Sequence, residues 1–428
     1  MFVKKLVVDY LLKVAEEIES LKMVERDLKI KPEKGLAISV LGPRRAGKTT
    51  YMKGVAKSIG ESFYIDFEHT AFRAITPEEI IELLSLYSEV FGEKTEAIFL
   101  DEVQKLEDWE SVVRSLIDMG RYVFISGSSS KLMSREIATQ LRGRSMSYVL
   151  LPFSFREYLK AKGVKVKKYM TLEEEGKIKN HLKKFLTDTS YPGVVLTGDY
   201  RLLQEYYNTI LYNDFVERFE LKSIELARFI FDFMLSNFSR EFSVNKIHNF
   251  LKSQGLRFGK NTLYSYVEKI PETLSVFFVE KLEKSIYKKP WPKKVYVADL
   301  GLVNIVGVEE SLGYRMENLV FLELLRKTNE KPVIGIHYFK STEGYEVDFV
   351  IKEGLKVKEL IQVTYADNFD EVEHREIRAL LKAGELLRCK NLTVITWDYE
   401  DERDISWFGK KGKVKFVPLW KWLFNQHT

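Results

Sequence analysis

The sequence predicts an α/β fold: a parallel sheet covered by helices, then a helical segment, a small helix-turn-helix unit and a second α/β unit. Three observations predict it. A glycine-rich loop at residues 42–49 separates a strand-like run from a helix-like run, short β-branched or aromatic runs alternate with helical patterns up to residue 151, and the pattern changes near residues 241 and 303. The runs Ala37 to Leu41, Phe63 to Phe67, Ala97 to Leu100, Tyr122 to Ser126 and Met146 to Leu151 are expected as strands, and Thr49 to Ile59 as a helix. Strands alternating with helices imply a parallel sheet whose ligands sit at the carboxyl ends of the strands.

Size and composition bound the rest. At 428 residues the chain has room for about three domains, and 45% hydrophobic residues with 13% aromatics suffice for packed cores. No run approaches the roughly 18 apolar residues that a membrane span needs. The stretch Met1 to Tyr10 is briefly apolar but carries no small-residue cleavage site, so a cytoplasmic protein is expected. Cys389 is the single cysteine, which excludes a disulfide framework and a thiolate metal cluster and leaves a buried spectator thiol. Lys and Arg number 67 against 62 Asp and Glu, a balance that permits nucleic-acid contact without requiring it.

The loop Gly42-Pro43-Arg44-Arg45-Ala46-Gly47-Lys48-Thr49 is a complete G-x-x-x-x-G-K-[ST] phosphate-binding motif, followed by Thr50. Its glycines let successive backbone amides point at phosphate oxygens, Lys48 neutralises β/γ charge and Thr49 holds Mg²⁺. A helix starting at the same point adds its N-terminal dipole. Arg44 and Arg45 are read either as phosphate or neighbour contacts or as solvent-facing side chains. The strand Ala97 to Leu100 ends in Asp101 and Glu102, placed to bind magnesium through water and to polarise the attacking water. Ser126 or Ser128, leaving the next strand, is a candidate to sense the γ-phosphate, the alternative being an N-cap for a helix from Lys131.

Together the stretches 42–50, Leu100 to Glu110, 126–130, Leu141-Arg142-Gly143-Arg144 and Leu151 to Leu159 resemble AAA+ ATPases, in particular a large archaeal and bacterial group near the signal-transducing STAND branch. The resemblance extends over nearly the whole chain. It implies an ATPase core over residues 1–160, ATP as the nucleotide and a helical lid over 161–240. It also implies an adenine contact at Pro192, although such relatives carry Gly-x-Pro where this chain has Ser190-Tyr191-Pro192; a plain helix-breaking turn is the alternative. Arg142 and Arg144 are candidates for an arginine finger given to a neighbouring subunit, or for a solvated basic turn. A homo-oligomer or a protein partner is expected on the same ground.

Residues 241–302 read as a winged helix-turn-helix: Phe242 to Leu251 and Asn261 to Ile270 as short helices around a Gly255 to Gly259 turn, then strands at Ser275 to Leu282 and Lys294 to Val297. The second helix is expected to expose Lys260, Asn261, Tyr264 and Ser265 as DNA contacts and to bury Leu263 and Val267. A unit used only for packing or protein contact is the alternative. His248 reads as a half-exposed helix residue, since no second His stands at ligand spacing.

Residues 303–428 resemble the PD-(D/E)xK nuclease fold. Glu317 lies on a helix, Asp348 on a hairpin strand and Gln362 on the next strand, before Val363 and Thr364. Active members use the acidic pair for a divalent metal and a lysine two residues beyond the last position to place water. Thr364 stands where that lysine would be, so a degenerate domain that binds nucleic acid or a protein is expected, with Lys358 considered as a substitute cation on the same strand face. Leu392 to Thr396, Val414 to Pro418 and the aromatic helix Leu419 to Leu423 are expected to close the domain, with both tryptophans in a core or an interface. The functional expectation is a hydrolysing AAA+-type motor or switch acting on nucleic acid; the alternatives are a STAND-type switch with little turnover and an ATP-licensed nuclease.

Overall fold

The computed structural model describes residues 2–73, 75–92, 95–127, 141–283, 292–307 and 311–425. Two compact units emerge, Met1–Pro152 and Phe153–Thr428. No helix among the described residues is long and apolar enough to cross a membrane.

The first unit begins with helix α1 (Phe2–Ser20) and holds a five-stranded sheet of β1 (Ala37–Leu41), β2 (Ser62–Asp66), β3 (Ala97–Asp101), β4 (Tyr122–Gly127) and β5 (Ser145–Val149). The order is β2-β3-β4-β1-β5 and every pair is parallel. Helices α2 (Lys48–Ile59), α3 (Pro77–Phe91) and α4 (Trp109–Asp118) alternate with the strands. β1 and β3 are buried at every residue, as strands covered on both faces must be. In a parallel sheet all carboxyl ends share one rim, which brings the loop after β1 and the carboxylates after β3 to the same edge.

The second unit opens with helices α5 (Phe155–Ala161), α6 (Leu172–Thr187), α7 (Pro192–Thr197), α8 (Arg201–Thr209) and α9 (Ile224–Ser236). Then come β6 (Glu241–Phe242), α10 (Val244–Ser253), α11 (Lys260–Lys269), β7 (Val276–Lys281) and β8 (Lys293–Val297). After α12 (Leu300–Ile305) and α13 (Leu312–Glu330), a meander of β9 (Ile334–Lys340), β10 (Glu346–Glu353) and β11 (Lys356–Val363) leads through α14 (His374–Leu387) to β12 (Leu392–Thr396). β13 (Asp401–Trp407), β14 (Lys410–Pro418) and α15 (Leu419–Asn425) follow. Trp420 and Trp422 are buried, and Phe424 stacks on Phe155 with ring centroids 6.1 Å apart, so the terminal helix packs within its own unit.

Residues 241–302 and 303–428 were expected as separate domains, but their strands form one nine-stranded sheet, β13-β14-β12-β11-β10-β9-β7-β8-β6. The join is a short parallel pairing of β7 with β9, Glu280 opposite His337 and Lys281 opposite Tyr338. The expected boundary at 302/303 falls within α12, and the strands on its two sides share one sheet. Two paired residues are too short a signal to leave a pattern in the sequence.

Candidate functional site

The phosphate loop is shaped by its two glycines. A Cβ on Gly42 would stand 2.1 Å from the carbonyl oxygen of Leu150, so the backbones approach too closely for any side chain. Gly47 adopts φ 94°, a left-handed conformation that L-residues rarely take, and turns the chain into α2. Arg26, 6% exposed and not anticipated from the sequence, braces the loop by donating to the carbonyls of Ala46 at 2.9 Å and Leu151 at 2.5 Å.

Helix α2 has no side-chain cap, a trait shared with α4, α7, α8, α11, α13 and α14, while α3, α5 and α6 close their amino ends with a capping box, Thr76 with Glu79, Ser154 with Glu157 and Thr171 with Glu174. The amino end of a helix, at the positive end of its dipole, suits an anion. Lys48 is buried across the loop and donates to the carbonyls of Gly42 at 3.0 Å and Pro43 at 3.2 Å. Thr49 and Thr50 face solvent on the first turn, Arg45 is exposed and Arg44 half-buried, while Pro43 and Ala46 pack inward.

On the same rim Asp101 is 1% exposed. The Tyr64 hydroxyl donates to its Oδ2 at 2.7 Å, and the Ser126 hydroxyl from neighbouring β4 donates to its Oδ1. Ser126 thus bonds Asp101; Ser128 and Lys131 lie outside the described residues. Glu102 takes φ 53°, unusual for a residue with a side chain, and accepts from the Gln104 amide. Asp66, opposite Asp101 in the register of β2 and β3, adds a third carboxylate that sequence reasoning missed. Burial raises its pKa above the ordinary range, and Asp101 and Glu102 add to this against the Glu68 amide.

Arg142 and Arg144 lie at the other edge of the sheet, just before β5, where the Arg144 carbonyl accepts from the amide of Ala37 at the start of β1. Arg144 pairs with Asp118 at 2.9 Å. The length of β1 separates it from its own chain's loop. Pro192 belongs to the second unit, where it starts α7. The turn before it is clamped by buried Asp299, whose Oδ2 accepts from the Ser190 amide and hydroxyl, each at 2.6 Å, and whose Oδ1 accepts from the Thr189 hydroxyl at 2.8 Å.

In the middle segment Lys260, Asn261 and Ser265 are exposed on α11, Tyr264 is half-buried, and Leu263 and Val267 are buried. Lys260 donates to Asn245 at 3.0 Å, and His248 is half-buried.

Glu317, Asp348 and Gln362 do meet, in a pocket of about 730 Å³. The cation among them was not foreseen. Lys294 of β8, 2% exposed, donates to Glu317 Oε1 at 3.0 Å, Asp348 Oδ1 at 2.8 Å and Glu346 Oε1 at 2.8 Å. Lys358 does not substitute: it is exposed at the far end of β11 and pairs with Glu353 at 2.8 Å. Tyr296 donates to Glu317 Oε1 at 2.7 Å, and the Val363 amide to Asp348 Oδ2 at 3.0 Å. Burial opposes the charge on Lys294, but Asp348 and Glu317 outweigh it and hold the ammonium pKa well above its usual value. Burial, then the Asp348 charge, lift Glu317 above the usual carboxylate range. Glu376 on α14 lines the same pocket, and burial followed by Asp348 pushes it up to about 8.

A phosphate-loop motif at the carboxyl rim of a parallel sheet, with a strand-end Asp-Glu on the same rim, defines a nucleotide-binding protein of the phosphate-loop class. Residues 34–159 match the family described as AAA domain, and residues 312–421 match Domain of unknown function (DUF4143). An uncharacterised protein of Methanocaldococcus jannaschii is 34% identical over 413 residues, spanning 94% of this chain and 91% of its own. One from Haemophilus influenzae is 25% identical over 390 residues, spanning 86% and 90%. The chain belongs to the AAA+ ATPase family, in an arrangement that joins an AAA domain to a carboxyl-terminal DUF4143 domain. Among solved structures, Cdc6p from Pyrobaculum aerophilum is similar at 13% identity over 76% of this chain and 92% of its own, with a TM-score of 0.25, too slight a likeness to bear on function.

Proposed function

We propose that the chain hydrolyses ATP with Mg²⁺ at the phosphate loop and uses the cycle as a motor or switch on nucleic acid. The observation that carries the ATPase reading is the Gly42 to Thr49 loop, turned by Gly47 into α2 on the sheet rim that also bears Asp101 and Glu102. Lys48 and the loop amides would hold the β/γ-phosphates, and Thr49 with Asp101 would hold the cation, which neutralises charge on the transferring group. Glu102 would orient water for in-line attack. Ser126, hydrogen-bonded to Asp101, would hold that carboxylate's direction, and Arg144 would serve a neighbouring copy, since it stands across the sheet from its own loop.

Two features support nucleic acid as the target. The series α9-β6-α10-α11-β7-β8, with β6 and β7 both antiparallel to β8, suits a winged helix that presents Lys260, Asn261, Tyr264 and Ser265. A separate groove of about 1120 Å³ carries Arg156, Lys165, Lys167, Lys168 and Lys421 with Tyr169 83% exposed, a basic and aromatic surface of the kind that accepts a single strand. The series α13-β9-β10-β11-α14-β12 resembles the nuclease fold with its last lysine missing.

The test is phosphate release by the full chain without nucleic acid and with single-stranded DNA, duplex DNA and RNA, alongside mass measurement with and without ATP. Turnover stimulated several-fold, and less so after Lys260→Ala, supports the proposal. Slow turnover indifferent to every nucleic acid rejects the target and favours a signalling switch.

A further inference from the structure

Resting on the reading of the carboxyl-terminal segment as nuclease-like, a divalent cation is what Glu317, Asp348 and Gln362 would hold. The residues present do not fit one. An ammonium has three N–H donors and no acceptor, and all three donors of Lys294 have a carboxylate within 3.0 Å. Each of these carboxylates already accepts further hydrogen bonds or charge. Glu317 Oε1 receives both Lys294 and Tyr296, Asp348 Oδ1 receives Lys294 and Oδ2 the Val363 amide, and the second oxygen of Glu346 receives Lys340 at 3.0 Å. Among the described residues no group of three His, Cys, Asp or Glu is placed to hold a metal ion.

We propose that Lys294 takes the place of the divalent cation, so that the pocket is held closed to metal by the chain's own ammonium and the carboxyl-terminal unit binds without cleaving. Three features separate this from a lysine relocated to place water. Its donors are saturated by carboxylates, leaving none for a water. It bonds the acidic pair directly, where a metal would lie between them. Lys340, bonded to both Glu346 and Glu241, supplies the second positive charge that a divalent ion would otherwise bring.

The experiment is Mn²⁺ titration of the nucleotide-free full chain, followed by electron paramagnetic resonance and by thermal melting, for wild type, Asp348→Asn, Lys294→Ala and the double variant. Wild type is expected to bind no Mn²⁺ that Asp348→Asn removes, and Mn²⁺ is expected to leave its melting temperature unmoved. Lys294→Ala is expected to gain a stoichiometric Mn²⁺ site, lost again in the double variant, with melting raised by the ion. A wild-type Mn²⁺ site abolished by Asp348→Asn overturns the closure while leaving the nuclease-like reading standing. A folded Lys294→Ala that still takes up no Mn²⁺ overturns both, since the carboxylates then have no cation position for the lysine to fill. The wild-type comparison decides the closure even where the lysine variant fails to fold, and Glu317→Gln serves as its second control.

Discussion

The two carboxylate sites of this chain differ in what satisfies them. Asp101, at the end of β3, receives hydroxyls: Tyr64 and Ser126 orient it without cancelling its charge. Asp348, on β10, receives an ammonium that also reaches Glu317 and Glu346. Neutral donors leave a carboxylate's charge uncompensated, whereas an ammonium compensates it. The contrast teaches that acidic residues at a strand end predict a metal only when the counter-charge is also known.

Substitutions break or sharpen this contrast, beginning with the strongest. Lys48→Ala should lower nucleotide affinity or turnover on the order of a hundredfold or more, read by equilibrium binding and phosphate release. Glu102→Gln should retain ATP binding while turnover falls by about 10²- to 10⁴-fold; hydrolysis that survives unchanged removes Glu102 from its role. In the second site Lys294→Ala leaves buried carboxylates uncompensated and should cost about 3 to 5 kcal/mol in urea unfolding, with nucleotide affinity unaltered. Tyr64→Phe should cost about 1 to 3 kcal/mol by depriving buried Asp101 of a donor, and should weaken Mg²⁺-dependent more than Mg²⁺-free nucleotide binding.

A further test concerns pH. Glu376 is raised from 4.5 to about 8 by burial first and by Asp348 second. The folded state therefore binds this proton more tightly than the unfolded state does. Its contribution to stability is whole below the unfolded pKa and is lost as pH rises through the folded one, between about 4.5 and about 8. Glu376→Gln should flatten the fall in melting temperature over that window, and an unchanged slope would remove Glu376 as its source.

Much of the first unit was legible in the sequence because its chemistry is local. The run 42–49 contains the glycines, the lysine and the hydroxyl in order, and strand β1 was placed at its observed limits, Ala37–Leu41. Arg26 and Tyr64 were not, since each acts on a group far along the chain: 20 residues from Ala46 and 37 from Asp101. Strand β13 is not legible in the sequence because Asp401, Glu402, Arg403 and Asp404 give an edge strand the look of a solvated loop.

The sequence by itself determined that a phosphate loop stands before a helix, that a strand ends in Asp101-Glu102, and that Thr364 rather than a lysine stands two residues after Gln362. These are properties of neighbours along the chain, where spacing fixes geometry. Only the tertiary structure decided which charges meet. Lys294 lies 23 residues before Glu317 and 54 before Asp348, and reaches both because the sheet joins the β7–β8 hairpin to the carboxyl-terminal strands. Pairing across such separations depends on how strands assemble, and a buried ammonium supplied from outside the motif is visible only once they have.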